Sequence, residues 1–151
     1  MTARPPFTAR PGTELPVLVL AEVTPEAVLQ FARASGDTNP IHLDPAAARA
    51  AGMPDVIAHG MLTMAWLGRL VTSWAPSERL RSLRAAFVAP VPVGDSLTCG
   101  GTVAEVREAS GEWHAYLRLF ARRGDGMAAV RGRAVVAVDP YCSEGGTGGR
   151  G

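Results

Sequence analysis

The sequence predicts an α+β domain in which an antiparallel sheet curls around one central helix. Three features predict it. Helical patterns cluster in the first half of the chain, one of them is apolar nearly all round, and strand patterns separated by turn residues fill the second half. A further strand precedes the helices and is placed to join the sheet.

Residues 1–13, rich in Pro, Thr, Arg and Gly, read as a flexible N-terminal arm, and residues 14–138 as a single domain. Glu14 to Val23 has strand composition, with V-L-V-L at its centre. Thr24-Pro25-Glu26 then starts a helix, with Thr24 as the cap, Pro25 at the first helical position and Glu26 in the first turn. Val28, Leu29, Phe31 and Ala32 give that helix its apolar face, and Gly36 ends it. After a loop built on Asp37, Asn39 and Pro40, Asp44-Pro45 repeats the cap-and-proline start, and a short Ala-rich helix runs to about Gly52. Pro54 to His59 is a connector. Gly60 to Trp74 has little polar face and reads as the buried central helix. Beyond Pro76, Leu80 to Val88, Ser96 to Arg107, Glu112 to Arg122 and Met127 to Val138 are strand-like. V-P-V-G-D, E-A-S-G-E and R-G-D-G are the turns between them. Residues 139–151 read as a disordered tail.

At 151 residues with nearly half of them apolar, the chain is long enough for one domain with a real core. The net charge of +1 gives no overall basic field that would call for nucleic acid or an anionic membrane. Every cation is Arg; Lys is absent. Cys99 and Cys142 form neither a metal spacing nor a disulfide framework. The start of the chain lacks the basic-then-apolar pattern of a signal peptide, and Met61 to Trp74 is too short and carries Arg69, so no membrane insertion is expected. The expected location is the reducing cytoplasm.

Two places carry candidate chemistry. The first is S-G-D-T-N-P-I-H-L-D, Ser35 to Asp44. Pro40 lacks an amide hydrogen and restricts Asn39 to extended conformations, so the stretch is a bend. Such a bend can aim Asp37 and His42 at one point, a pair suited to general acid–base work on a water or hydroxyl. The other reading keeps Asp37 as a cap on backbone amides and His42 packed near a helix start. The second place is Ala58-His59-Gly60-Met61. A Gly at the mouth of a buried helix can offer its N–H to developing negative charge, or it can simply permit tight packing. His59 reads as a supporting or structural histidine. Asp37, His42 and His59 also make a two-His-one-carboxylate set, but their spacing matches no helical metal-ligand motif. Trp66 and Trp74 suit core or interface roles, and His114 a surface or cavity wall. Arg79, Arg81 and Arg84 read as a solvated strand face that could meet a phosphate or an acidic carrier protein.

The ordered pair S-G-D-T-N-P-I-H-L-D and I-A-H-G-M-L-T-M resembles the hydratase-2 motif of the MaoC-like (R)-specific enoyl-CoA hydratases and dehydratases. With V-T-S-W and F-V-A-P-V-P-V-G-D, it is closer still to the catalytic B-type subunit of actinobacterial (3R)-hydroxyacyl-ACP dehydratases. The resemblance runs from about Glu14 to Val138. It implies a hot-dog fold, a sheet wrapped round a long helix. It also implies a dimer, either of identical chains or with another hot-dog subunit. By resemblance Asp37 and His42 are the catalytic dyad, Gly60 gives an oxyanion-hole amide, and Asn39 with Pro40 supports the dyad loop. A serine that some members carry further into the central helix is replaced here within Trp66-Leu67-Gly68. The implied activity is reversible syn addition or removal of water at C2–C3 of an acyl-CoA or acyl-ACP, in fatty-acid or polyketide metabolism. The substrate's pantetheine thioester is then the only prosthetic group involved, with no metal and no redox cofactor. A non-catalytic hot-dog subunit would not need both dyad residues, and a hot-dog thioesterase would place a carboxylate on the central helix, where Met61 to Trp74 has none.

Overall fold

The computed structural model describes residues 6–141. Thr24 Oγ1 accepts the Ala27 N–H at 3.2 Å and Pro25 opens α1 (Pro25–Ser35), which ends where Gly36 turns to φ 77 in the left-handed region. That conformation, free of penalty only for Gly, lets the Gly36 N–H reach back to Ala32 C=O. A 3-10 turn (Pro40–His42) follows, then α2 (Pro45–Ala50), capped by Asp44 through the Ala46 N–H. The long helix α3 spans Gly60–Trp74. The strands are β1 (Leu18–Leu20), β2 (Leu80–Phe87), β3 (Leu97–Ala109), β4 (Glu112–Arg123) and β5 (Ala128–Ala137).

The strands form one antiparallel sheet of order β1-β3-β4-β5-β2, so β1 and β2 are its edges. α3 lies against the inner face and touches β2, β3, β4 and β5. Leu67, Leu70 and Val71 of the helix are fully buried against inward-facing Leu97, Val103, Leu117 and Val136. Each such aliphatic side chain contributes about 1.5–3 kcal/mol by leaving water. This is the hot-dog arrangement.

Three expectations need correction. The strand expected over Glu14 to Val23 shortens to Leu18–Leu20, with an isolated bridge from Glu14 to Thr102. Pro16 has no N–H to give the ladder and interrupts it. The helix expected to be buried all round keeps an exposed stripe along Met61, Ala65, Arg69 and Thr72, because one sheet covers only one side of a helix. The described part of the expected flexible arm, residues 6–13, is docked. Gly12 N–H donates to Val103 C=O at 2.8 Å, Ala9 is buried, and Phe7 sits edge-on to Trp74 with ring centroids 5.1 Å apart. Asp139 fastens it by accepting the Phe7 N–H at 2.7 Å and pairing with Arg79 at 2.8 Å. Of the expected tail, Asp139 to Tyr141 are described; residues 142–151, Cys142 among them, lie outside the described residues.

Candidate active site

The loop between α1 and the 3-10 turn is braced by its own side chains. Ser35 Oγ donates to Phe31 C=O at 2.7 Å and accepts the Asp37 N–H at 3.2 Å. Asp37 Oδ1 accepts the Asn39 N–H, and Asn39 Oδ1 accepts the Ile41 N–H, each at 3.2 Å. Asp37 is therefore the backbone cap that one reading expected, but this occupies one carboxylate oxygen and leaves Oδ2 for other work. Pro40 starts the turn that carries His42 inward, from an exposed loop to 9% exposure.

The rings that converge here have their nitrogens assigned by their partners. His42 Nδ1 lies 2.7 Å from Ile57 C=O, an acceptor only, so Nδ1 carries the hydrogen and Nε2 presents the lone pair. His59 Nε2 lies 2.9 Å from Asp37 C=O and is likewise the donor, while its buried Nδ1 has no partner. The two imidazoles stack, with centroids 3.8 Å apart and planes at 27°, and Phe31 closes the other side of His59 at 4.9 Å. Ligand atoms of Asp37, His42 and His59 all lie within 4.8 Å of one another. Each ring gives one nitrogen to a backbone carbonyl, an arrangement an imidazole adopts with or without a metal on its other nitrogen.

His42 opens onto an apolar cleft of ≈ 420 Å³. Ile57, Phe87, Val88, Val91 and Val130 make its walls, and Gly60 and Thr63 its floor at the start of α3. Among the described residues the Gly60 N–H has no hydrogen-bond partner; the first turn closes with Leu62 and Thr63 N–H on His59 C=O. A Cβ at Gly60 would come 3.2 Å from the Phe87 ring, tighter than ordinary packing, so a side chain there would push against the cleft wall. Every dyad and helix-mouth residue singled out in the sequence is thus brought to one place.

Thr63 was missed. Its buried hydroxyl is weakly tied to His59 C=O at 3.4 Å, and it stands in the cleft one turn into α3. A lone hydroxyl residue in an otherwise apolar helix start was the available signal. Gly68 lies against Leu83 and is not among the cleft residues, so no hydroxyl comes from there. His114 is not in the site; it meets Glu112 at 2.6 Å. Trp66 and Trp74 pack against the core.

Residues 6–115 match the model of the MaoC like domain. The chain belongs to the MaoC-like family. Among MaoC-like and related proteins it is 36% identical over 119 residues to 3-hydroxyacyl-thioester dehydratase X of Mycobacterium tuberculosis, covering 79% of this chain but only 40% of that relative. It is also 36% identical over 113 residues to an (R)-specific enoyl-CoA hydratase of Aeromonas caviae, covering 74% of this chain and 83% of the relative. The crystal structure of the ChsH1–ChsH2 complex from M. tuberculosis shares the fold at TM-score 0.78, over 87% of this chain and 100% of that one, at 22% identity.

Proposed function

We propose that this MaoC-like chain is a (3R)-hydroxyacyl thioester dehydratase, equally an (R)-specific enoyl-thioester hydratase. The observation that carries the reading is the bond from His42 Nδ1–H to Ile57 C=O. It leaves a basic Nε2 beside the Asp37 carboxylate at the head of an apolar cleft. The Gly60 N–H, at the positive end of α3, polarises the thioester carbonyl and stabilises the enolate. In hydration the Asp37–His42 pair takes one proton from water, the water oxygen bonds to C3, and the pair returns one proton to C2 as the double bond is lost. Dehydration reverses each step. The two groups act as one coupled acid–base unit. Asn39 and Pro40 hold the loop and His59 holds the Asp37 carbonyl.

The substrate brings its own pantetheine thioester, on CoA or on an acyl carrier protein, and the reading needs neither metal nor redox cofactor. The names of the two relatives support the acyl-thioester class. We infer a second hot-dog chain, identical or not, as partner. The uncovered α3 stripe and the half-exposed Phe87 and Val88 beside the cleft support this, as does the two-chain nature of the related complex. We place the reaction in the cytoplasm; Cys99 is buried and makes no disulfide among the described residues. No helix among the described residues is long and apolar enough to cross a membrane.

The test is loss of enoyl absorbance with crotonyl-CoA. Asp37→Asn and His42→Ala are each expected to lower kcat by ~100- to 10,000-fold. Near-wild-type turnover in either variant rules the assignment out, and release of free CoA would point to a thioesterase instead.

A further inference from the structure

Thr63 lines the cleft, yet the hydration steps above give it no part. It is 2% exposed, and among the described residues lining the cleft it carries the only hydroxyl. The other buried residues of α3 are Leu62, Leu67, Leu70 and Val71, all aliphatic. A Val would fill the same space. A buried hydroxyl without good partners works against the fold, whereas an apolar group of the same shape is neutral or stabilising.

The hydroxyl is poorly bonded where it stands. Among the described residues its only partner is His59 C=O, at 3.4 Å. That carbonyl has two lone pairs, and it already accepts the Leu62 N–H at 3.1 Å and the Thr63 N–H at 3.2 Å. Thr63 Oγ1 is a third and weakest claimant, turned back on the preceding turn as helical Thr often is. Its hydrogen points to the carbonyl, and its two lone pairs remain for the cleft.

The proposed chemistry leaves one hydrogen in need of an acceptor. In hydration the Asp37–His42 pair takes one proton of the water. The other hydrogen stays on the oxygen as that oxygen bonds to C3. The Gly60 N–H is a donor and cannot receive it. Outside the dyad, Thr63 Oγ1 is the one side-chain oxygen among the described residues that line the cleft. Its placement fits. Thr63 stands about 4.5 Å along α3 from Gly60, and helical side chains lean back towards the preceding turn. In a 3-hydroxyacyl thioester, three carbons separate the carbonyl oxygen, on Gly60, from the oxygen at C3.

We infer that Thr63 Oγ1 accepts the retained hydrogen of the oxygen at C3 and so aims the lone pair of the water at that carbon. This rests on the hydratase reading above. In dehydration the same contact holds the (3R)-hydroxyl. The pair takes the C2 proton, the C2–H electrons form the double bond, and the C3–O bond breaks as the oxygen receives a proton from the pair and leaves as water. Thr63 touches the substrate and exchanges no proton with it.

The test uses the full chain with any subunit that copurifies, and separates the C3 oxygen from the rest of the acyl group. Equilibrium binding of (3R)-3-hydroxybutyryl-CoA and of butyryl-CoA, which lacks that oxygen, is measured in the Asp37→Asn background with Thr63, Thr63→Val or Thr63→Ser. Thr63→Val should weaken the hydroxyacyl thioester about three- to tenfold and leave butyryl-CoA unchanged, and Ser should restore the preference. With Asp37 intact, Thr63→Val should lower kcat for crotonyl-CoA hydration by a similar factor with little change in KM. Thr63→Ala, which adds no methyl to the cleft, repeats the comparison, and melting temperature, unchanged or raised in Thr63→Val, is the folding control. An unchanged ligand preference in the Val and Ala variants overturns the inference. So do an equal loss on both ligands, no recovery with Ser, and failure to bind either ligand. Wild-type turnover that survives Thr63→Val undiminished leaves the hydratase reading standing and removes this contact. A Thr63-dependent preference for the hydroxyacyl thioester, without turnover of crotonyl-CoA by the wild type, supports the contact while rejecting the hydratase reading.

Discussion

Single side chains set the proton inventory of the site. The bend itself was legible: Asn39-Pro40 can only turn, and Asp37 and His42 flank it. The reach of His59 back to the Asp37 carbonyl, 22 residues away in sequence, was not, because no local pattern encodes a long-range hydrogen bond. Nor was Thr63, whose burial depends on the sheet that covers it. The His59 bond predicts a positioning role. His59→Phe keeps the ring stack with His42 but loses the donor to Asp37 C=O. That carbonyl sits in an exposed loop where water replaces the lost partner, so stability should fall by only about 1 kcal/mol. Asp37 is no longer held, and kcat should fall roughly ten- to hundredfold. His59 does not line the cleft, so KM should change little. His59→Gln can place an N–H near the lost Nε2–H and should recover part of kcat. A kcat loss matched by a large KM rise, or no rescue by Gln, would count against positioning.

At the scale of elements, helix starts were readable because each is written in two or three adjacent residues: Thr24-Pro25, Asp44-Pro45, His59-Gly60. The four long strands were readable from alternation and from the Gly-rich turns between them. β1 was overextended because composition alone does not register that Pro16 breaks a ladder. One close approach in the β3–β4 pairing is a contact no periodicity reveals. Gly101 faces Leu119, and a Cβ at Gly101 would lie 2.5 Å from Leu119 Cδ2 and 2.9 Å from the Arg118 carbonyl oxygen. The second obstacle is backbone and cannot rotate away. Gly101→Ala is therefore expected to destabilise the chain by ~1–3 kcal/mol and lower the melting temperature by several degrees. Gly68→Ala should do the reverse. Its Cβ would meet only Leu83 Cδ2, at 3.4 Å, and replacing Gly within α3 recovers up to ~1 kcal/mol of helix propensity. Thermal melts of the two variants side by side decide it; equal effects would mean that the close approach at Gly101 does not govern the pairing.

Across the whole molecule, the features that close the fold lie at its margins, where sequence periodicity is silent. The docked arm is held by Asp139, whose carboxyl is kept below the usual range by the Phe7 amide and then by the Arg79 guanidinium. On the other side of the edge strand, Arg81 of β2 reaches over the end of β5 to Glu112 of β4, at 2.7 Å, and Glu112 also holds His114. Arg81 and then His114, by hydrogen bonding, hold the Glu112 carboxyl at about 2 against its ordinary 4.5. A carboxyl that is lowered on folding adds stability above its ordinary range, and loses it as the pH falls towards the folded value. Glu112→Gln should therefore melt below wild type at neutral pH. The gap should hold down to about pH 5, close as the pH falls from 4.5 towards about 2, and be absent below that. Because the group is exposed, the gap is small and is screened by added salt. Melting temperatures of both proteins from pH 7 to 2, at low and high salt, provide the check. A gap that widens as the pH falls, or that ignores salt, would mean the Arg81–Glu112–His114 bridge does not tie β2 to β4 in solution.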